Sequence, residues 1–128
     1  MDGGVKVRVL QEGAKHAAVE VSGSVSGNSA ISLFCLKDLS HNPKSLRLDS
    51  VTFSFQEKLG VLLKWGDRLI LPLDGRGKLD FSSVGGLRPP DKDFIWDGMI
   101  VGEFSSSDTL EVPKLKHFLI VLEWEKYS

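Results

Sequence analysis

The chain has 128 residues, of which 41% are hydrophobic and 26% are charged, with 17 acidic against 16 basic side chains. This length suits one domain over residues 1–128, and the apolar content is sufficient for a packed core, which argues against intrinsic disorder. The balanced charge argues against a general nucleic-acid-binding protein, which would carry a basic surplus.

The first predicted strand covers residues 5–9, where valine alternates with lysine and arginine. A period of two is typical of a half-buried β-strand, and the cationic face would contact water or an acidic partner. Residues 1–12 are therefore either the first strand of the domain or an N-terminal arm that adds a strand to a neighbouring sheet. The candidate partner-contact residues are Val5, Lys6, Val7, Arg8 and Val9.

Two further strands are predicted before the middle of the chain. Residues 15–21 alternate again, and residues 30–36 form a mostly apolar run. The serine- and glycine-rich residues 22–29 between them predict a loop. Residues 46–55 predict a long strand, in which a β-bulge at residues 49–50 corrects a slip in the alternation.

The strands predicted next are separated by turn residues. A tight hairpin at residues 56–57 leads into a strand over residues 58–65, and a second turn follows. Residues 69–73 predict an edge strand, because Pro72 cannot donate a ladder hydrogen bond.

A glycine-rich connection over residues 77–90 comes next. We expect it to be ordered, with Leu79, Phe81 and Leu87 inserted against the core. Beyond it, strand character returns in residues 94–104 and 109–112. The alternating residues 116–126 predict a central strand, because their apolar side chains begin on both faces.

No segment has helical apolar spacing over a useful length, and eight or nine short strands follow one another at turn-separated intervals. The chain is therefore predicted to be an all-β protein, an antiparallel β-sandwich, with a jelly roll as the preferred type. The side chains expected to anchor its core are Phe53, Phe55, Trp65, Phe81, Leu87, Phe118, Ile120 and Leu122.

Reactive chemistry is difficult to find in the sequence. None of the three histidines has a second histidine or a cysteine at metal-ligand spacing, and the single cysteine, Cys35, lies in an apolar run and permits no internal disulfide. No set of acid, base and nucleophile emerges either. We expect no enzyme activity, no catalytic residue, no cofactor and no metal site.

Exposed tryptophans would favour a different function. A carbohydrate-binding module would present Trp65 or Trp96 as a stacking platform, whereas a plain sandwich would bury these rings, and burial is the preferred interpretation. No apolar run is long enough for a membrane helix and no signal peptide is visible, so we expect a protein made in a reducing cytoplasm without membrane contact.

Five segments stand in a recognisable order, namely residues 15–21, 62–65, 77–87, 102–109 and 118–126. The Leu-Asp-Phe and Gly-Gly-Leu block within residues 77–87 is the most specific of them. This order resembles a family of small virion structural proteins of tailed bacteriophages that includes capsid decoration, or cement, proteins, and the resemblance extends over about residues 14–126.

This resemblance implies a non-enzymatic protein that binds the major capsid protein on the outer surface of the virion and stabilises the mature head. It also implies self-association, as a dimer or trimer. A tail or head-fibre component is the alternative within virion proteins, and the carbohydrate-binding module is the alternative outside them.

Overall fold

The structure is a computed structural model that describes residues 4–26, 28–40, 43–89, 97–106 and 115–127. These residues form nine β-strands and two short 3-10 helices, at Leu36–Asp38 and Ser82–Val84. The strands are β1 (Val5–Glu12), β2 (His16–Ser26), β3 (Ser29–Cys35), β4 (Ser45–Phe55), β5 (Leu59–Trp65), β6 (Arg68–Asp74), β7 (Arg76–Asp80), β8 (Met99–Ser106) and β9 (Leu115–Tyr127).

The strands form two antiparallel sheets with the orders β1-β2-β9-β4-β7 and β3-β8-β5-β6. Apart from β1, the pairing is nested, because β2 pairs with β9, β3 with β8, β4 with β7 and β5 with β6. This is a long hairpin rolled over into two packed sheets, which is the jelly-roll arrangement. The prediction of an all-β sandwich of the jelly-roll type is confirmed.

The core lies between the two sheets and is organised around β9. Every second residue of β9 is buried, and the strand pairs with β2 on one side and β4 on the other. Its central position is therefore confirmed. Six of the predicted core anchors are buried, namely Phe53, Phe55, Trp65, Phe118, Ile120 and Leu122. Phe81 and Leu87 are half-buried and pack against the edge of the core.

The β-bulge predicted in β4 is present, since the pairing with β9 shifts by one residue between Leu48 and Ser50. The carbonyl of the extra residue, Asp49, accepts a hydrogen bond from the Phe81 amide at 2.7 Å. Leu48 and Leu87 also exchange two backbone hydrogen bonds, of 2.8 and 2.9 Å. These bonds hold the glycine-rich connection against β4.

Two turn predictions are wrong. Residues 56–57 do not close a hairpin, because β4 and β5 belong to different sheets and the chain crosses the sandwich between them. The expected loop over residues 22–29 is also wrong over its first part. Residues 22–26 continue β2 and pair with residues 115–119 of the long strand β9, which satisfies their backbone groups whatever their side chains.

The glycine-rich connection differs from its prediction at its beginning. Residues 76–80 form β7, an edge strand, and Leu79 is 39% exposed instead of inserted in the core. Leu79 lies opposite the buried Val51, so its side chain is on the core side of the sheet. Because an edge strand has a neighbouring strand on one side only, the other side of the Leu79 side chain stays open to solvent. The predicted strand at residues 109–112 and residues 94–96 lie outside the described residues.

Candidate partner-binding edge

The two sheets end in four edge strands, and these differ in their capacity to accept another strand. On one side of the sandwich, β7 has only five residues and β6 contains Pro72, which lacks an amide hydrogen. Short strands and prolines are common protections of sheet edges. On the other side, β3 has seven residues, and its pairing with β8 shifts after Ser32, so its first regular stretch covers only residues 29–32. The strand β1 has eight residues without proline and pairs regularly over residues 5–9. The β1 edge is therefore the better candidate for partner binding.

The valines of β1 lie on the core side of their sheet but are partly exposed. Val7 lies opposite Val21 and Val9 opposite Val19, and both partners on β2 are fully buried. Directly opposed residues of an antiparallel pair share a face. Val7 and Val9 are nevertheless 43% and 40% exposed. The outermost strand of the five-stranded sheet thus extends past the cover that the four-stranded sheet provides.

The opposite face of β1 is cationic. Lys6 lies opposite Ser22 and Arg8 opposite Glu20. The Arg8 guanidinium is 3.3 Å from the Glu20 carboxylate, but 69% of the Arg8 side chain is exposed, so this ion pair contributes little stability. The outer face of the edge therefore presents two positive charges, of which one already has an acidic neighbour.

The backbone of β1 has a defined set of groups on its free side. The Ser24 amide donates to the Gly4 carbonyl at 3.1 Å, and these residues are in register with the β1–β2 ladder. Hydrogen-bonded and non-hydrogen-bonded pairs alternate along an antiparallel ladder, so the amide and carbonyl groups of Val5, Val7 and Val9 point away from β2. Within the described part of the chain, no backbone hydrogen bond is made to these outward-facing groups, because β2 is the only strand beside β1.

The far end of β1 is fixed to the body of the domain. After Val9 the register shifts, which leaves Leu10 as an extra residue, 44% exposed. Glu12 then forms an ion pair of 2.9 Å with Lys126 at the end of β9 and accepts a hydrogen bond from the Ser40 amide. Residues 5–12 thus belong to the domain's own sheet instead of forming a separate arm.

The ion pair at Glu12 also influences its acidity. Burial raises the pKa of the Glu12 carboxyl group, but hydrogen bonds from Lys126 and Ser40 together outweigh burial and hold this pKa below its ordinary value of 4.5. The anchor of β1 is therefore charged at neutral pH.

The other residues considered for chemistry belong to other strands, to the core or to parts of the chain outside the described residues. His16 and His117 are exposed on β2 and β9, and His41 is outside the described residues. Cys35 is buried as a free thiol. Where the structure describes the chain, no three histidine, cysteine or acidic side chains come together as a metal site.

The preferred prediction, burial of the tryptophan rings, is confirmed for Trp65. Trp65 is 2% exposed and packs against Trp124, with ring centroids 5.7 Å apart, so it cannot stack on a sugar. Trp96 lies outside the described residues.

Sequence reasoning selected the five residues of this edge but missed Leu10 and the exposure of the valines. The alternation identifies the strand and its two faces, whereas exposure depends on which strand covers it from the opposite sheet. The alternation ends at Val9, and Leu10 is the next residue, so the end of the pattern is the one sequence signal for the register shift at Leu10.

None of the described helices is long and apolar enough to cross a membrane. No protein-family model, curated protein or solved structure matches the chain at a significant level.

Proposed function

We propose that this protein is a non-enzymatic structural component of a tailed-bacteriophage virion, a capsid decoration protein that binds the major capsid protein on the outside of the head. The observation that supports a binding function best is the β1 edge, which combines unpaired backbone groups, exposed Val7 and Val9 and cationic side chains on a rigid sandwich. The phage context of the proposal rests on the family resemblance of residues 14–126.

The mechanism requires contact area and no reactive group. A protein that binds only the mature shell stabilises that form by mass action, by an amount that grows with the logarithm of its free concentration once this exceeds Kd. Many copies around one shell add their contributions, so a modest affinity per copy is sufficient. A jelly roll whose β6 and β7 edges are protected by a proline and by shortness suits this role, because those edges are poor templates for adding further copies.

The proposal includes the remaining expectations of the resemblance. The protein associates with itself as a dimer or trimer, functions without a cofactor, and contacts neither nucleic acid nor membrane. It is made in the host cytoplasm and resides on the outer capsid surface, away from the packaged DNA.

The experiment is quantitative mass spectrometry of purified particles from cells that carry this gene with its phage genome, followed by imaging of the heads. We expect a copy number comparable with that of the major capsid protein and density for the sandwich on the outer lattice. Absence from the particles would contradict the proposal. A copy number of only a few per particle would instead support the tail or head-fibre alternative.

A further inference from the structure

We infer that the β1 edge receives an extended strand of a partner protein in which acidic and aliphatic residues alternate. Under the proposed function, on which the identity of the partner rests, this strand is a segment of the shell protein. The inference adds a binding mode, a register and a side-chain chemistry to the proposed contact.

The backbone of β1 provides the first argument. Val5, Val7 and Val9 direct their amide and carbonyl groups to the free side, in register with the ladder that the Ser24–Gly4 bond defines. These groups can bond a strand at every second residue, which is the pattern of β-strand addition. The register shift after Val9 limits the regular binding stretch to residues 5–9.

The side chains of β1 provide the second argument. An added strand would place one face beside Lys6 and Arg8 and the other beside the exposed Val7 and Val9. Opposite charges on neighbouring strands stabilise pairing. Aliphatic side chains would bury the exposed apolar surface of the valines. Because side chains alternate between faces, the complementary strand alternates acidic and aliphatic residues.

The same charges disfavour a second copy of β1 as the occupant. In the antiparallel pairing centred on Val7, Lys6 of one copy would lie opposite Arg8 of the other, and both belong to the same face. Like charges directly opposite each other destabilise a strand pair. Charge complementarity therefore selects a different, acidic segment over self-pairing.

The test measures the binding of two synthetic peptides by fluorescence anisotropy. In one peptide glutamate alternates with valine, and in the matched control lysine replaces every glutamate. For the unmodified protein we expect the acidic peptide to bind about tenfold more tightly, with the preference weakening as salt is added. In the double variant K6E/R8E the preference should invert. An equal affinity of the unmodified protein for both peptides would overturn the inference.

The variants Val7→Pro and Val7→Thr separate strand addition from general charge attraction. Proline removes an amide hydrogen that faces the free edge, a position where sheets tolerate it, whereas threonine keeps this donor. We expect Val7→Pro to abolish binding of the acidic peptide and Val7→Thr to retain it, with melting temperatures close to that of the unmodified protein. If Val7→Pro fails to fold, the inversion of the peptide preference in K6E/R8E still tests the inference. If a folded Val7→Pro protein still bound the acidic peptide, strand addition at β1 would be contradicted. If Val7→Pro removed self-association of the protein, β1 would pair with a second copy, which would also contradict the inference.

The occupancy of purified phage particles by the unmodified and the variant protein distinguishes this inference from the proposed function. If the unmodified protein and a folded Val7→Pro variant occupy the head equally, the edge inference fails and the decoration function stands. If the unmodified protein is absent from particles but prefers the acidic peptide, the decoration function fails and strand addition at β1 stands.

Discussion

The ammonium group of Lys126 lies 2.9 Å from the carboxylate of Glu12, and only 2% of the Lys126 side chain is exposed. This contact joins the end of the first strand to the end of the last. Lys126 also donates to the Ser40 carbonyl at 3.3 Å, so that one cation connects three segments distant in sequence. The free edge of β1 is therefore presented by a strand that is anchored at one end.

We expect Glu12→Gln to lower the free energy of unfolding by roughly 2 kcal/mol, because a buried ammonium group loses its charged partner. Urea denaturation at neutral pH measures this loss. The control is Glu20→Gln, which removes a pair whose arginine is exposed and should change stability by less than about 0.5 kcal/mol. Equal losses in both variants would contradict the anchoring role.

The lowered pKa of Glu12 predicts a pH dependence. A carboxyl group with a lower pKa in the folded state stabilises the fold above the pKa of the unfolded chain, ordinarily 4.5, and this contribution disappears as pH falls through the folded value. The stability difference between the unmodified protein and Glu12→Gln should therefore be constant near neutral pH and shrink in acid. A difference that stays constant throughout the acid range would be inconsistent with this pKa.

Two neighbouring glycines in the connection after β7 allow a test of close packing. Both have a positive φ, 86° at Gly85 and 75° at Gly86, but a Cβ at Gly86 would overlap the Arg47 side chain, whereas one at Gly85 meets open space. We expect Gly85→Ala to cost about 1 kcal/mol from backbone strain alone and Gly86→Ala about 2 kcal/mol or more. Thermal melting of the two variants compares them, and equal costs would show that Arg47 moves aside freely.

Phe81 should hold the glycine-rich connection to the core. Its ring is half-buried against the core, so we expect Phe81→Ala to cost roughly 2 kcal/mol, while the backbone bond from residue 81 to Asp49 remains. The matched variant Leu79→Ala truncates an exposed side chain nearby and should cost less than half as much. A loss below about 1 kcal/mol for Phe81→Ala would show that the ring does not pin the connection.

The alternation of side chains predicted the strands well because burial on one face leaves a period-two pattern. The same logic located the bulge at Asp49, where the pattern slips by one residue. It could not show that β4 and β5 lie in different sheets, because a turn at residues 56–57 suits a hairpin and a crossing equally. It also missed the continuation of β2 through residues 22–26, where backbone pairing with β9 outweighs a polar sequence.

The sequence predicted the two faces of the candidate site but not its exposure, because exposure depends on the packing of the two sheets. Alternation identified Lys6 and Arg8 on one face and the valines on the other. The exposure of Val7 depends on how far the opposite sheet extends, and the same geometry leaves Leu79 exposed at the other edge. Relative sheet widths are a property of the assembled sandwich and leave no local signal.

The proposed attachment to a phage head through the β1 edge can be tested by measuring the occupancy of purified heads by the unmodified protein and by a folded Val7→Pro variant. We expect the unmodified protein at a copy number comparable with the major capsid protein, with an added strand along residues 5–9 in the head density, and strongly reduced occupancy for the variant. Heads that lack the unmodified protein, or that carry both proteins equally, would contradict attachment through this edge.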